Sequence, residues 1–208
     1  MAVRRQKPAL EFSSDWVSRH LRNWRRHLGR FAGTPGLRFL EIGSWEGRST
    51  CWFLQNILTH PTASITCVDT FSGSPLELKS NPYLQQAISH IERRFDRNIA
   101  GLGATKKVIK KKGSSQVILR AMLPEETFDV IYIDGSHFAA DVIADAVLTW
   151  PLLKKKGVLI FDDYRWNCII DRKNPLVKPA PAIDAFLFLF RDKLEVLGKG
   201  RQVCIRKR

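Results

Sequence analysis

Cysteine is scarce. Cys51, Cys67, Cys168 and Cys204 are the only four in 208 residues, with no C-x-x-C pair and no metal-ligand spacing among them. This excludes a disulfide-built scaffold and a thiolate metal site, and predicts reduced thiols in a cytoplasmic protein. No run of about 18 apolar residues occurs, so no transmembrane helix and no membrane partner are predicted. The opening MAVRRQKPALEF has no apolar centre of the kind a signal peptide needs. Internal repeats and low-complexity tracts are absent. Acidic residues are also few, 20 against 34 Lys and Arg, for a net charge of +14.

What is present begins with that charge. Residues 1–30 hold Arg4, Arg5, Lys7, Arg19, Arg22, Arg25, Arg26 and Arg30 against only Glu11 and Asp15. Lys106, Lys107, Lys110, Lys111 and Lys112 form a second cluster, and the C-terminal stretch adds Lys199, Arg201, Arg206, Lys207 and Arg208. Such an excess favours nucleic acid, an acidic surface or a charged small substrate. The other reading is a solvated basic surface, and it is favoured because no aromatic–basic RNA motif accompanies the charge.

The chain has enough apolar residues, 44 %, and the right length for one α/β domain. Residues 1–10 read as a basic tail. Ser13 or Ser14 can cap a helix from Asp15 to Phe31, whose Trp16 and Trp24 read as packing residues in preference to a substrate cage. That helix can pack on a sheet edge, form a lid or make a homodimer contact. Strands are predicted at 37–42, 64–69, 108–109, 128–133 and 158–161, and helices at 48–59, 82–99, 113–123, 138–153 and 182–190. Residues 71–80 and 165–180 read as loops, Asn81 as a helix cap, and Leu84, Ile88, Ile91, Phe95 and Ile99 as a buried helical stripe. Alternating strands and helices imply a mainly parallel sheet, and LEVLGKGRQVCIRK reads as a closing antiparallel hairpin.

The chain is organised around Leu37 to Thr50, LRFLEIGSWEGRST. It reads as a buried strand, a glycine turn and a helix start, the arrangement at which α/β domains bind nucleotides. Gly43 and Gly47 fit neither the dinucleotide fingerprint nor a P-loop. Glu41 would repel a phosphate and attract an ammonium group, which suggests S-adenosylmethionine (SAM). Acids also end the later strands: Asp69, Asp134, Asp162 and Asp163. Asp69 is placed to accept the ribose hydroxyls; its alternative is a turn or helix cap. Ser115 and Gln116 can bond adenine edges or simply cap a helix. Asp134, Asp162 and Asp163 form an oxygen-donor set suited to magnesium, or bond loops and backbone N–H groups without metal.

EIGSWEGRS, residues 41–49, resembles the first motif of class I SAM-dependent methyltransferases. From Leu37 to Tyr164 the chain resembles the metal-dependent small-molecule O-methyltransferases of the catechol and sugar type. GSSQ at 113–116 resembles their adenine-contacting G-A-S-Q, and YIDGSH at 132–137 with FDDY at 161–164 resemble their two metal motifs. The resemblance implies a doubly wound, mainly parallel seven-stranded α/β sheet over residues 36–208, preceded by a basic tail and helix over 1–35. It implies SAM at Glu41, Gly43, Ser44, Gly47, Ser49, Asp69, Ser115 and Gln116, with Glu41 on the methionine amine and Ser49 on its carboxylate. It further implies a divalent cation, Mg2+, on Asp134, Asp162 and Asp163, and an acceptor hydroxyl bound to that metal. Where the catechol type has a lysine base this chain has His137, and where the sugar type has an aspartate it has Ser136. His137 is a credible base, or else a histidine bonded to a loop or lining the cofactor. The expected activity is methyl transfer to a small-molecule hydroxyl. The alternatives are an RNA methyltransferase or RNA-binding protein, against which the absence of an N/D-P-P-[YF/W] motif counts, and a non-catalytic protein that keeps the fold.

Overall fold

A computed structural model describes residues 10–73, 82–122, 127–167, 171 and 173–208, with side chains of 82–87 excepted. The expected Asn81 cap, the Leu84 contact and Cys168 lie outside these residues.

Seven strands form one sheet. They are β1 (Arg38–Ile42), β2 (Ser64–Asp69), β3 (Val108–Lys112), β4 (Phe128–Ile133), β5 (Leu153–Phe161), β6 (Leu194–Lys199) and β7 (Val203–Lys207). Their spatial order is β3-β2-β1-β4-β5-β7-β6. The first five pair in parallel, and β7 runs antiparallel to both β5 and β6. The doubly wound sheet and its closing hairpin are therefore as the sequence predicts.

The helices are α1 (Leu21–Leu28), α2 (Arg48–Asn56), α3 (Pro82–Gly101), α4 (Ser115–Arg120), α5 (Ala139–Thr149) and α6 (Pro179–Leu189). Successive strand residues point to opposite faces, and this sequence supplies apolar side chains to both. Phe39, Val130, Tyr132, Val158 and Ile160 join α1, α2 and α3 in one core, built around Trp24, Phe53 and Phe95. Leu40, Ile42, Ile131, Ile133, Leu159 and Phe161 join α4, α5 and α6 in the other, around Trp150 and Phe186. Covering both faces with helices leaves the ends of the strands as the place where polar groups can gather.

Several expected boundaries shift. The first helix begins as a 3-10 turn at Ser18–His20, and Asp15 Oδ1, not Ser13 or Ser14, accepts the Ser18 N–H at 3.0 Å. β5 starts five residues early, at Leu153 rather than Val158, because the lysine run Lys154–Lys156 hides its beginning and a register shift separates its two halves. α6 starts at Pro179, not at Ala182, with proline at its first turn. Trp24 is fully buried, as expected of a packing residue, whereas Trp16 is 40 % exposed.

Candidate active site

The strand order reverses between β1 and β4, so their connections depart to opposite sides and a crevice opens at their carboxyl ends. A cleft of about 810 Å³ lies there. Ser44, Ser49, Asp69, Ser115, Gln116, Asp134, His137, Asp162 and Asp163 all line it. Residues predicted from five separate stretches of sequence thus meet in one place.

The floor of the cleft depends on glycine. Gly43 has φ +84°, and a Cβ there would lie 2.0 Å from the Asp134 carbonyl oxygen. Only a bare Cα lets the end of β1 pass the end of β4 this closely. At Gly47, φ +79°, a Cβ would instead meet the Phe95 ring at 2.9 Å; this glycine N-caps α2.

Glu41 and Gly47 are not among the cleft-lining residues. Glu41 is fully buried, one layer behind Ser44 and Ser49. It faces α2 because it shares the Phe39 side of β1. Its Oε2 accepts from the Thr50 hydroxyl and from Cys67 Sγ, the latter at 3.5 Å, while Oε1 has no hydrogen-bond partner. Burial raises its pKa above the ordinary carboxylate value against the pull of the surrounding hydroxyls. The Ser44 hydroxyl in front of it is likewise buried and unpartnered.

Asp69 performs the task that its turn-cap alternative describes. Its Oδ2 accepts the N–H groups of Ser44 and Trp45 at 2.6 and 2.8 Å, and Oδ1 accepts that of Phe71 at 2.6 Å. Trp45 and Phe71 both have positive φ, 48° and 55°, a region costly for bulky side chains. The carboxylate is what holds them there. A carboxylate offers about four acceptor positions, so Asp69 retains capacity for a ligand hydroxyl while serving as the knot of the turn.

On the opposite wall, Ser115 Oγ donates to Asp145 Oδ1 at 2.7 Å and Gln116 Nε2 to Asp141 Oδ1 at 3.1 Å. Both side chains are anchored by α5 and still border the cleft. Neither caps α4 with its side chain: the N-cap is Ser114, and it makes no side-chain cap bond.

The third wall holds the acids expected to bind a metal. Tyr132 Oη lies 2.8 Å from Asp134 Oδ2 and is also hydrogen-bonded to Asp162 Oδ2. A phenol carries one proton, so one of these contacts requires a protonated carboxyl. Burial, then the charges of Asp162 and Asp163, push the Asp134 carboxyl well above the usual range. Asp162 also accepts from Gln202 Nε2 at 2.9 Å and from the Asp163 N–H at 2.6 Å. Asp163, at φ 52°, contacts His137 Nε2 with Oδ2 at 2.9 Å and Arg19 Nη2 with Oδ1 at 3.4 Å. Burial opposes its charge, but the His137 bond, then the charges of His137 and Arg19, hold its pKa below the ordinary value. His20 approaches Asp162 Oδ1 at 3.5 Å, yet its Nε2 already accepts from Arg19 Nε at 2.9 Å. Burial lowers the His20 pKa despite the Asp162 charge, so this contact is no ion pair.

Among the described residues no three His, Cys, Asp or Glu side chains are grouped to hold a metal ion. Tyr132, Gln202, His137 and Arg19 supply hydrogen-bond and charge partners to the three carboxylates expected to bind one.

A profile of the methyltransferase domain family matches residues 40–164, more than half the chain and the part that builds these walls. The chain belongs to this methyltransferase family. An O-methyltransferase, hkm8, of Aspergillus hancockii is 34 % identical over 133 residues, covering 62 % of this chain and 44 % of that protein. An uncharacterized protein, R132, of Acanthamoeba polyphaga mimivirus is 28 % identical over 151 residues, covering 69 % of this chain and 57 % of that protein. The chain thus spans about half the length of these curated relatives. The crystal structure of the O-methyltransferase TomG from Streptomyces achromogenes, in complex with SAM, superposes with a TM-score of 0.63 at 15 % identity, over 96 % of this chain and 82 % of that one. At that identity the likeness is one of fold.

A further set of residues closes the cleft, on the N-terminal segment for which the sequence left a lid among its readings. Ser14, Trp16, Val17 and Arg19 line the cleft from the N-terminal side. They are strapped down by two buried groups on the domain. Glu46 Oε2 accepts from Ser13 N at 2.6 Å and Ser13 Oγ at 3.0 Å, and Arg94 neutralises its other oxygen. Asn98 accepts the Glu11 N–H and donates to the carbonyls of Glu11 and Glu46, each at 2.9 Å. Arg48 pairs with Asp15 at 2.8 Å, and Trp16 rests on Trp45 with ring centroids 5.8 Å apart. Trp166 adds an aromatic wall, its ring 4.1 Å from that of His137. The signal available in sequence was a glutamate beside Gly47 that no cap or helix pair explains.

Proposed function

We propose that the chain transfers a methyl group from SAM to a hydroxyl of a small molecule, with His137 as general base. The observation that carries this is the Asp163–His137 pair at 2.9 Å on the wall of the cleft. A half-buried carboxylate that also contacts Arg19 occupies His137 Nε2, which leaves Nδ1, a buried atom, as the nitrogen that would take the proton. The SAM-bound TomG fold and the name of the Aspergillus relative support the donor and the hydroxyl acceptor.

The cleft fits SAM. It has the volume of a cofactor site, and the buried Ser44 hydroxyl on its wall has no hydrogen-bond partner, nor has Glu41 Oε1 behind it. Glu41 and Ser49 would hold the amino-acid end, Asp69 the ribose, and Ser115 with Gln116 the adenine edge. SAM supplies an electrophilic methyl carbon on a positively charged sulfur. His137 accepts the proton of the acceptor hydroxyl, and Asp163 stabilises the imidazolium that results. Arg19 keeps Asp163 ionised. Trp16, Trp45 and Trp166 narrow the entrance and exclude water, so that the acceptor is held rather than merely admitted. Tyr132, Asp134 and Asp162 brace the wall.

The test is release of S-adenosylhomocysteine during incubation with SAM and a panel of catechols, sugars and phenolic acids, with and without EDTA. Turnover of a hydroxyl compound in EDTA, lost by His137→Ala while SAM binding persists, is the expected result. Methylation confined to RNA would instead promote the nucleic-acid reading.

A further inference from the structure

The end of the sheet opposite the cleft carries a charge pattern that the site does not use. There β5 begins and β7 ends. Arg30, just past α1, donates from Nη2 to the Lys156 carbonyl at 2.9 Å. Burial and then the nearby Arg206 charge lower its pKa. Lys207 turns inward, donating to the carbonyls of Trp150 and Leu153 at 2.7 Å each; burial and the like charge of Lys155 lower its pKa. The Arg208 N–H donates to the Lys193 carbonyl at 3.0 Å, which carries the rim to the segment after α6. Three acids among the described residues face it: Glu195, paired with Arg206 at 3.3 Å, Asp192, 3.9 Å from Arg191, and Asp129, paired with Lys154 at 2.8 Å. Lys155, Lys156 and Lys193 are exposed, and among the described residues none of them pairs with an acid.

Beside these cations α6 ends in Phe188 and Leu189, 67 % and 69 % exposed, while Ile183 and Phe186 of the same helix are fully buried. The Arg191 guanidinium lies 4.9 Å from the Phe188 ring centroid, so the apolar pair and the basic rim form one patch. The core does not use this pair.

We infer that this rim docks the protein on an anionic lipid surface, the cations meeting headgroups while Phe188 and Leu189 enter the acyl boundary. Basic residues at a membrane face are drawn by its negative potential, and exposed apolar side chains among them add burial that bulk water opposes. A nucleic-acid backbone would satisfy the cations but offers an aliphatic leucine nothing. The mode needs no membrane span, and no helix among the described residues is long and apolar enough to provide one. It leaves the cleft, at the other end of the sheet, open to water.

Cosedimentation of the full chain with phosphatidylcholine vesicles, with or without about 30 % phosphatidylserine, tests this. Binding to the serine-containing vesicles alone, weakening as salt rises, is expected. The double variant Phe188→Ser with Leu189→Ser, and separately Lys155→Glu with Lys193→Glu, should each lower vesicle affinity about tenfold or more. Both should leave SAM affinity at the wild-type value, which reports an intact fold. Should the charge variant misfold, the serine double variant decides alone. Equal partition onto both vesicle types, or none onto either, overturns the inference. So does RNA binding that the charge variant abolishes while the serine double variant leaves vesicle partition unchanged.

Discussion

Gly43→Ala is the sharpest perturbation of the cleft floor. The new methyl group would lie 2.0 Å from the Asp134 carbonyl oxygen, 2.5 Å from its carbonyl carbon and 2.7 Å from the Gly135 Cα. These are backbone atoms, so no rotamer change relieves the clash, and β1 and β4 must part. Parting them threatens the bond from the Asp134 N–H to the Ile42 carbonyl, now 2.8 Å. A left-handed φ on alanine costs about 1–2 kcal/mol, overpacking about 1–3 kcal/mol, and a weakened backbone bond about 1 kcal/mol. The expected loss is about 3–6 kcal/mol, a fall in Tm of roughly 6–24 °C for a domain of this size. Gly47→Ala makes the control: its clash is with the Phe95 ring, which can turn, so it should cost about 1–3 kcal/mol. Urea unfolding of both variants, followed by tryptophan fluorescence, measures the difference. A Gly43→Ala protein within about 1 kcal/mol of wild type would refute the close approach of the two strands.

Asp145, buried against Ser115, has its pKa pushed up from 3.8 to about 6 by burial. A raised acid favours folding while it is protonated, so its stabilisation is present below pH 3.8 and lost as pH rises through about 6. Asp145→Asn should therefore gain up to about 3 kcal/mol relative to wild type between those pH values, read from urea midpoints; parallel pH curves would rule the effect out. Asn98→Ala removes three hydrogen bonds that hold the strap, and should raise the KM for the acceptor at least several-fold while SAM affinity stays close to wild type; unchanged KM would detach the strap from acceptor binding. Turnover should survive EDTA, because protein donors already compensate Asp134, Asp162 and Asp163; complete loss on chelation, restored by Mg2+, would reinstate the cation. Cys51 and Cys204, with pKa values raised to about 12 and about 11 by burial, should react only slowly with thiol reagents at neutral pH, and rapid labelling of the native protein would contradict their burial.

The legible parts of this chain are those written in local pattern. Apolar runs such as FDVIYI and VLIF can only be buried strands, and each ends in an acid, so Asp69, Asp134, Asp162 and Asp163 fall at the cleft once the strands are parallel. What was not legible depends on partners far along the chain. Asp69 is bound by three backbone N–H groups of a turn whose strain cannot be read from residue types. The Tyr132 hydroxyl is invisible in a strand pattern that reads tyrosine as apolar, yet it joins the two acids expected to share a metal. Arg19 reaches Asp163 from 144 residues away, a partner that the pattern of its helix does not name even though a lid was among the readings. The lysines of β5 concealed a strand because surface charge at a strand's start looks like a loop.

Calorimetric titration of the full chain with SAM bears most directly on the cleft at the ends of β1, β2 and β4. One saturable site per chain, weakened about tenfold by Gln116→Ala as a lost adenine contact of roughly 1.4 kcal/mol, is the expected result. No heat of binding at any attainable SAM concentration, from a protein that is folded by its unfolding curve, would contradict the assignment.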